Sequence, residues 1–147
     1  MSRRPQRGSS LLEFALATGI LVPLFTGTFQ FGYTLFVYND LQSAVRGGAR
    51  YASMRSYDSA NSTPSAGFLT AVRNMVVYGN PDGIGQPVAP GLTPANVEVL
   101  PAMNGSAPES ITVQITGYTV NAVFTKFTFN GKPATTFPYT GTPEPHP

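Results

Sequence analysis

Seven carboxylates occur in this 147-residue chain, and Glu13 stands apart from the other six because it borders a long uncharged run. From Phe14 to Asn39 there are 26 residues without an Asp, Glu, Lys, Arg or His. A carboxylate at the edge of so apolar a run is costly in hydrocarbon unless a cation pairs with it, so it is a functional candidate by default. Gly8 lies five residues before it, and Arg3, Arg4 and Arg7 precede or adjoin that glycine. The chemistry on offer here is ion pairing in a poorly solvated place, not proton transfer between paired acids.

The remaining reactive side chains form no catalytic constellation. With no cysteine and one histidine, no Ser/His/Asp or Cys/His arrangement of the usual kind can be built, and thiolate metal sites are excluded. His146 sits in the tail Thr142-Pro143-Glu144-Pro145-His146-Pro147, where a solvated role is expected. Asp82-Gly83 reads as turn chemistry, and Gly83-Ile84-Gly85 lacks the strand and helix that a phosphate loop requires. Asn61-Ser62-Thr63 and Asn104-Gly105-Ser106 match an N-glycosylation pattern that chance also produces. Nine basic residues against seven acidic ones give a net charge of +2. Without the first eight residues the balance is −1, so the folded part has no basic excess for nucleic acid. No cofactor is expected.

The elements that must position Glu13 begin with the apolar run itself. As a helix it would reach about 39 Å, enough to cross a hydrocarbon core of about 30 Å. It is too long for the apolar region of a cleaved signal peptide, and no small-residue cleavage site comes after it. A retained membrane helix over about 14–39 is therefore expected, with a kink or short unwinding between Gly19 and Pro23. Ala15, Gly19, Gly27 and Gly32 supply small residues that let helices approach closely, a pattern that the abundance of glycine in membrane helices also produces. Beyond Asn39 the helix continues to Arg55, because Leu41, Ala44, Val45, Gly48, Ala49 and Ala52 fall on one face. Such a stripe is too weak to stand alone; it needs cover from the C-terminal domain or from a neighbouring copy. Three arginines near this end, Arg46, Arg50 and Arg55, offset the basic N-terminus in a positive-inside count, and a weak preference remains for the soluble part lying across the membrane from it.

Downstream, Thr63 and Pro64 suit the N-cap and first turn of a short helix, Pro64–Tyr78, closed by Gly79-Asn80-Pro81. A Gly- and Pro-rich loop then extends to Ala95. Val97–Leu100 and Ile111–Thr116 read as strands, the second able to continue through Tyr118 and Val120. Phe124–Phe129 with Asn130-Gly131 signals a hairpin whose return strand lies near Ala134–Phe137, at an edge because of Pro133 and Pro138. Phe124, Phe127, Phe129, Phe137 and Tyr139 are expected to fill the core of a tiny domain, with an exposed adhesive patch as the other reading. The fold class is α+β: a long N-terminal membrane-spanning helix running into a small domain with one short helix and a three- or four-stranded antiparallel sheet. The chain divides into a basic leader (1–8), the long helix (9–55) and an α+β domain with a Pro-rich tail (56–147).

Gly8 with Glu13 at the fifth position after it, basic residues before and an apolar helix beyond, resembles the prepilin-peptidase site of type IV pilins and pseudopilins. Within that superfamily the chain is most similar to TadE-like proteins of the tight-adherence (Flp) pilus system. Ser9-Ser10-Leu11-Leu12-Glu13-Phe14-Ala15-Leu16, Phe29-Gln30-Phe31-Gly32 and the block from Leu41 to Ala52 carry the resemblance, which spans roughly the first 55 residues. It implies cleavage after Gly8 by an inner-membrane prepilin peptidase, with Ser9 as the new N-terminus. It also implies pairing of Glu13 with the N-terminal amine of a neighbour, and partners among other pilin or pseudopilin subunits. The implied setting is a bacterial inner membrane crossed once, with the C-terminal domain periplasmic, or outside the cell in an assembled pilus. Two departures from the family pattern make this helix more neutral: Gln30 where an acid is common, and Gly47 where Ala-Arg-Glu-Gly-Ala-Arg would place a glutamate. The function expected is that of a non-catalytic subunit in pilus assembly. The alternatives are the major subunit of a type IV pilus-like filament and a periplasmic binding domain held by a signal anchor.

Overall fold

The computed structural model describes residues 7–59, 61–105, 107–121 and 126–142. Arg3, Arg4, Phe124 and His146 lie outside the described residues. Helix α1 (Arg7–Met54) is a single α-helix of 48 residues, about 72 Å long. The expected unwinding near Pro23 does not occur: the helix runs without interruption from Gly19 through Pro23 and beyond. Thr26 and Thr28, just after the proline, donate their hydroxyls to the carbonyls of Val22 and Leu24 one turn back (2.8 and 3.0 Å).

The upper half of α1 is the spine of the domain. Val37, Leu41, Val45, Ala49 and Ala52 are buried on one face, the stripe that the sequence periodicity marks. Full burial of each larger side chain is worth about 1.5–3 kcal/mol. Helix α2 (Ala66–Tyr78) covers one side through Phe68, Val72, Val76 and Val77, while the sheet covers the other. The stripe is thus covered by the chain's own domain. Core packing also crosses the expected boundary at 55/56, because residues after Tyr57 lean on side chains that precede it.

Helix α2 begins two residues later than expected. Ser65, not Thr63, is the N-cap: its Oγ accepts the Phe68 N–H (3.1 Å) and donates to the Asp58 carboxylate. Thr63 N–H is instead engaged by Asn61 Oδ1 (2.8 Å). A Ser cap of this kind is worth roughly 1 kcal/mol, and here it also ties the helix start to the loop leaving α1. At the other end Gly79 takes φ +67 and donates to the Met75 carbonyl, the expected stop.

Strands β1 (Val97–Asn104), β2 (Ala107–Ile115) and β5 (Ala134–Pro138) form one antiparallel sheet in the order β1-β2-β5. β1 is twice as long as the Val97–Leu100 expectation. β2 alternates as expected, with Ile111, Val113 and Ile115 fully buried. On the opposite face Thr112 meets Thr136 (2.7 Å) and Gln114 donates to Glu98 (2.6 Å). The strand does not run on through Tyr118, because Gly117 turns the chain at φ +64. β3 (Tyr118–Asn121) then leaves the sheet and pairs with β4 (Lys126–Phe129) as a separate two-stranded ribbon.

The Asn130-Gly131 hairpin expected between β4 and β5 is therefore replaced by a different pairing. β4 folds back on β3 in the register Tyr118↔Phe129 and Val120↔Phe127, and β5 joins β2 at the edge of the larger sheet. The Asn130 side chain accepts the Gly117 N–H (3.0 Å), so it ties the two strand ends together instead of turning one strand onto the next.

The end of α1 is closed by residues far away in sequence. Thr140 and Gly141 donate to the Ser53 carbonyl (2.9 and 3.0 Å). The Tyr139 hydroxyl accepts the Tyr57 N–H (2.9 Å) and donates to the Arg55 carbonyl (3.0 Å). A Cβ on Gly141 would stand 2.6 Å from that hydroxyl, so the clasp needs glycine there. Burial pushes the Tyr57 phenol above its ordinary value, with the Asp58 carboxylate adding to the effect. The Tyr139 phenol is likewise raised, first by burial. Both folded-state values exceed the unfolded ones, so this stabilising contribution is complete below about pH 10 and lost as pH climbs through the raised values. Denaturation midpoints should accordingly fall above about pH 10, and Tyr57→Phe should flatten that fall; an equal slope in the variant would contradict the assignment.

Candidate functional site

The lower half of α1 is apolar and uncovered on every side. Phe14, Leu16, Ile20, Leu24, Phe25 and Phe29 are all exposed, Phe29 to 77%. The first buried residue is Val37, at 2%. Helical rise puts Phe14 and Tyr33 about 29 Å apart, close to the thickness of a bilayer's hydrocarbon core. This helix is long and apolar enough to span a membrane or to serve as a signal anchor. Its threonines suit such a medium, since Thr26, Thr28 and Thr34 each satisfy their hydroxyl on a carbonyl one turn back.

Glu13 lies on this surface in the second turn, exposed. Among the described residues it has one weak partner: Ser9 Oγ donates to Glu13 Oε1 over 3.3 Å. A neutral hydroxyl at that distance supplies a fraction of what an ammonium would supply to a carboxylate. Gly8 and Ser9 are both exposed and already helical, and a Cβ on Gly8 would meet nothing within 4 Å. The bond between them is therefore open to a protein partner and free of any packing role in the fold.

The small residues divide into two groups. Ala44, Gly48 and Ala52 line up at four-residue intervals against the domain, and a Cβ on Gly48 would run into Val76 Cγ2. Ala15, Gly19, Gly27 and Gly32 are exposed, but an uninterrupted helix does not bring all four together. At about 100° per residue Ala15 and Gly19 lie roughly 40° apart, Gly27 roughly 80° further round, and Gly32 on the far side. Ala15 and Gly19 can share one contact; Gly32 belongs to another.

The structure also sorts the aromatics. Phe129, Phe137 and Tyr139 pack against the core, whereas Phe127 remains 42% exposed. Two residues not singled out in the sequence join them. Tyr38 lies 5.8 Å from Phe129, ring centre to ring centre, and Tyr33 faces β3. Their only sequence signal is their position, at the polar end of the apolar run.

No curated protein and no solved structure matches the chain. Residues 8–50 do match a family. The family is that of the TadE-like proteins, and the matched stretch contains the Gly8–Ser9 bond, Glu13, the bare apolar run and the glycine crossing with α2.

Proposed function

We propose that this protein is a non-catalytic pilin or pseudopilin subunit of a Tad/Flp-type pilus, stored in the inner membrane by the lower half of α1. Prepilin peptidase hydrolyses the Gly8–Ser9 bond, leaving a carboxylate on Gly8 and a free ammonium on Ser9. The ammonium of one subunit then pairs with Glu13 of its neighbour as the helices bundle. The observation that carries this reading is a carboxylate that, among the described residues, is held by one weak hydroxyl, at the rim of an exposed apolar run and five residues after an unencumbered glycine. The match of residues 8–50 to the TadE-like family supports it. The reading of α1 as a mere tether is disfavoured because the domain takes a wall of its core from that helix.

Co-expression with a prepilin peptidase tests the processing step. The expected product begins at Ser9, and Gly8→Phe blocks its formation while leaving domain stability unchanged. An intact Met1, or a cut remote from Gly8, would sink this part of the proposal.

A further inference from the structure

The β3–β4 ribbon sits low on the domain, beside the stretch of α1 where the bare span ends. A cavity of about 150 Å³ between helix and ribbon is lined by Tyr33, Pro90 and the strand from Tyr118 to Asn121. The base of the ribbon is anchored higher, where Phe129 meets Tyr38 and stacks on Tyr118. The buried face of the ribbon is formed by Tyr118 and Val120. Phe127 shares that face as the cross-strand partner of Val120, yet it is 42% exposed. Beside it Lys126 is exposed on the opposite face, in register with Asn121.

Heights decide what covers Phe127. If Glu13 marks one edge of the hydrocarbon, the other edge falls about 30 Å up the helix, near Tyr33. That is the level at which Tyr residues collect in membrane proteins, with one end apolar and the other wet. A lysine at the same level can keep its ammonium among lipid phosphates while its stem lies along apolar surface.

We infer that the β3–β4 ribbon is a second membrane contact, seating Phe127 and Lys126 in the phospholipid headgroup layer beside Tyr33 and Tyr38. The inference rests on the membrane-spanning reading of α1 proposed above. Its consequence is orientational: helix and ribbon together fix the rotation of the domain about α1, and leaving the bilayer for a fibre requires the ribbon to give up its lipid contact.

The chain has no tryptophan and no cysteine, so single reporters are unambiguous. Full-length Phe25→Trp, Phe127→Trp and Met54→Trp variants would be placed in phosphatidylethanolamine–phosphatidylglycerol vesicles carrying bromine at shallow or deep acyl positions. The expected pattern is strong quenching of Trp at 25 by deep bromine, of Trp at 127 by shallow bromine, and of Trp at 54 by neither. Quenching at 25 with position 127 as silent as position 54 would overturn the ribbon contact and leave the span standing. Silence at 25 would overturn both. A nitroxide on Lys126→Cys, a substitution at an exposed site, gives a second reading: it should collide more with oxygen relative to a water-soluble nickel complex than the same label on Met54→Cys, and equality would overturn the contact.

Discussion

Replacing Glu13 with Ala will leave the chain in the membrane and remove it from assembled pili. The substitution makes the span more apolar, so insertion is favoured, not impaired. What is lost, on the proposed function, is the acceptor for a neighbour's ammonium. Truncating one partner of a desolvated charge pair costs about 2–5 kcal/mol, which is at least about thirtyfold in subunit affinity. Glu13→Gln sharpens the test because the amide oxygen keeps an acceptor for the Ser9 hydroxyl, now 3.3 Å from the carboxylate, while the charge is gone. Both variants should fail equally in incorporation, read as the fraction recovered with sheared pili against the membrane fraction. Normal incorporation of Glu13→Gln would show that the hydrogen-bonding shape of the side chain matters and its charge does not.

Gly48→Val is expected to unseat the domain from its helix, whereas Gly47→Ala one residue earlier should stabilise it. The two glycines look alike in sequence. A side chain at position 48 runs into Val76 Cγ2, with the Val72 carbonyl 3.7 Å behind, and Val76 is itself fully buried. Overpacking at such a crossing costs about 1–3 kcal/mol. At position 47 a Cβ meets nothing within 4 Å, so Gly47→Ala should gain up to about 1 kcal/mol of helix propensity. For a domain of this size the Gly48 variant should melt lower by roughly 10 °C and the Gly47 variant slightly higher. Thermal unfolding in detergent, followed by circular dichroism, separates them; a Gly48→Val protein as stable as the parent would mean that α2 does not cross α1 at that glycine.

At these sites sequence and structure carry different parts of the account. Glu13 and Gly8 are singled out by local spacing against an uncharged run, and the structure shows both exposed on α1. The stripe from Leu41 to Ala52 is legible as a face, but periodicity cannot say what covers it, and the answer is α2 and the sheet. β2 declares itself by strict alternation. The partner of β4 does not, because Asn130-Gly131 reports a tendency to turn and says nothing about which strand lies alongside. Likewise Thr63 and Ser65 both satisfy the rules for an N-cap, and the choice is made by Asp58, seven residues before the serine that caps. The clasp of Tyr139 on Arg55 and Tyr57 joins positions more than eighty residues apart and leaves no local trace. Of the kink or short unwinding expected at Pro23, the unwinding is absent: a proline threatens one backbone hydrogen bond, and the helical turns on either side persist.

A picture emerges of a subunit in two states of burial. Above Val37 the helix is finished, with its apolar face covered by its own domain. Below Tyr33 it is bare, and lipid or other helices must supply the cover. On the proposed function, removing the leader would change the charge at one end of the bare half, one turn from the carboxylate that a neighbour would meet.

N-terminal sequencing of the chain recovered from sheared pili, alongside the chain left in the membrane, bears on all of this at once. A sequence starting at Ser9 in the pilus fraction is the expected result, with Glu13 at the fifth position of the processed chain. Recovery only from the membrane, with Met1 intact, would contradict a role in assembly that depends on the freed amine.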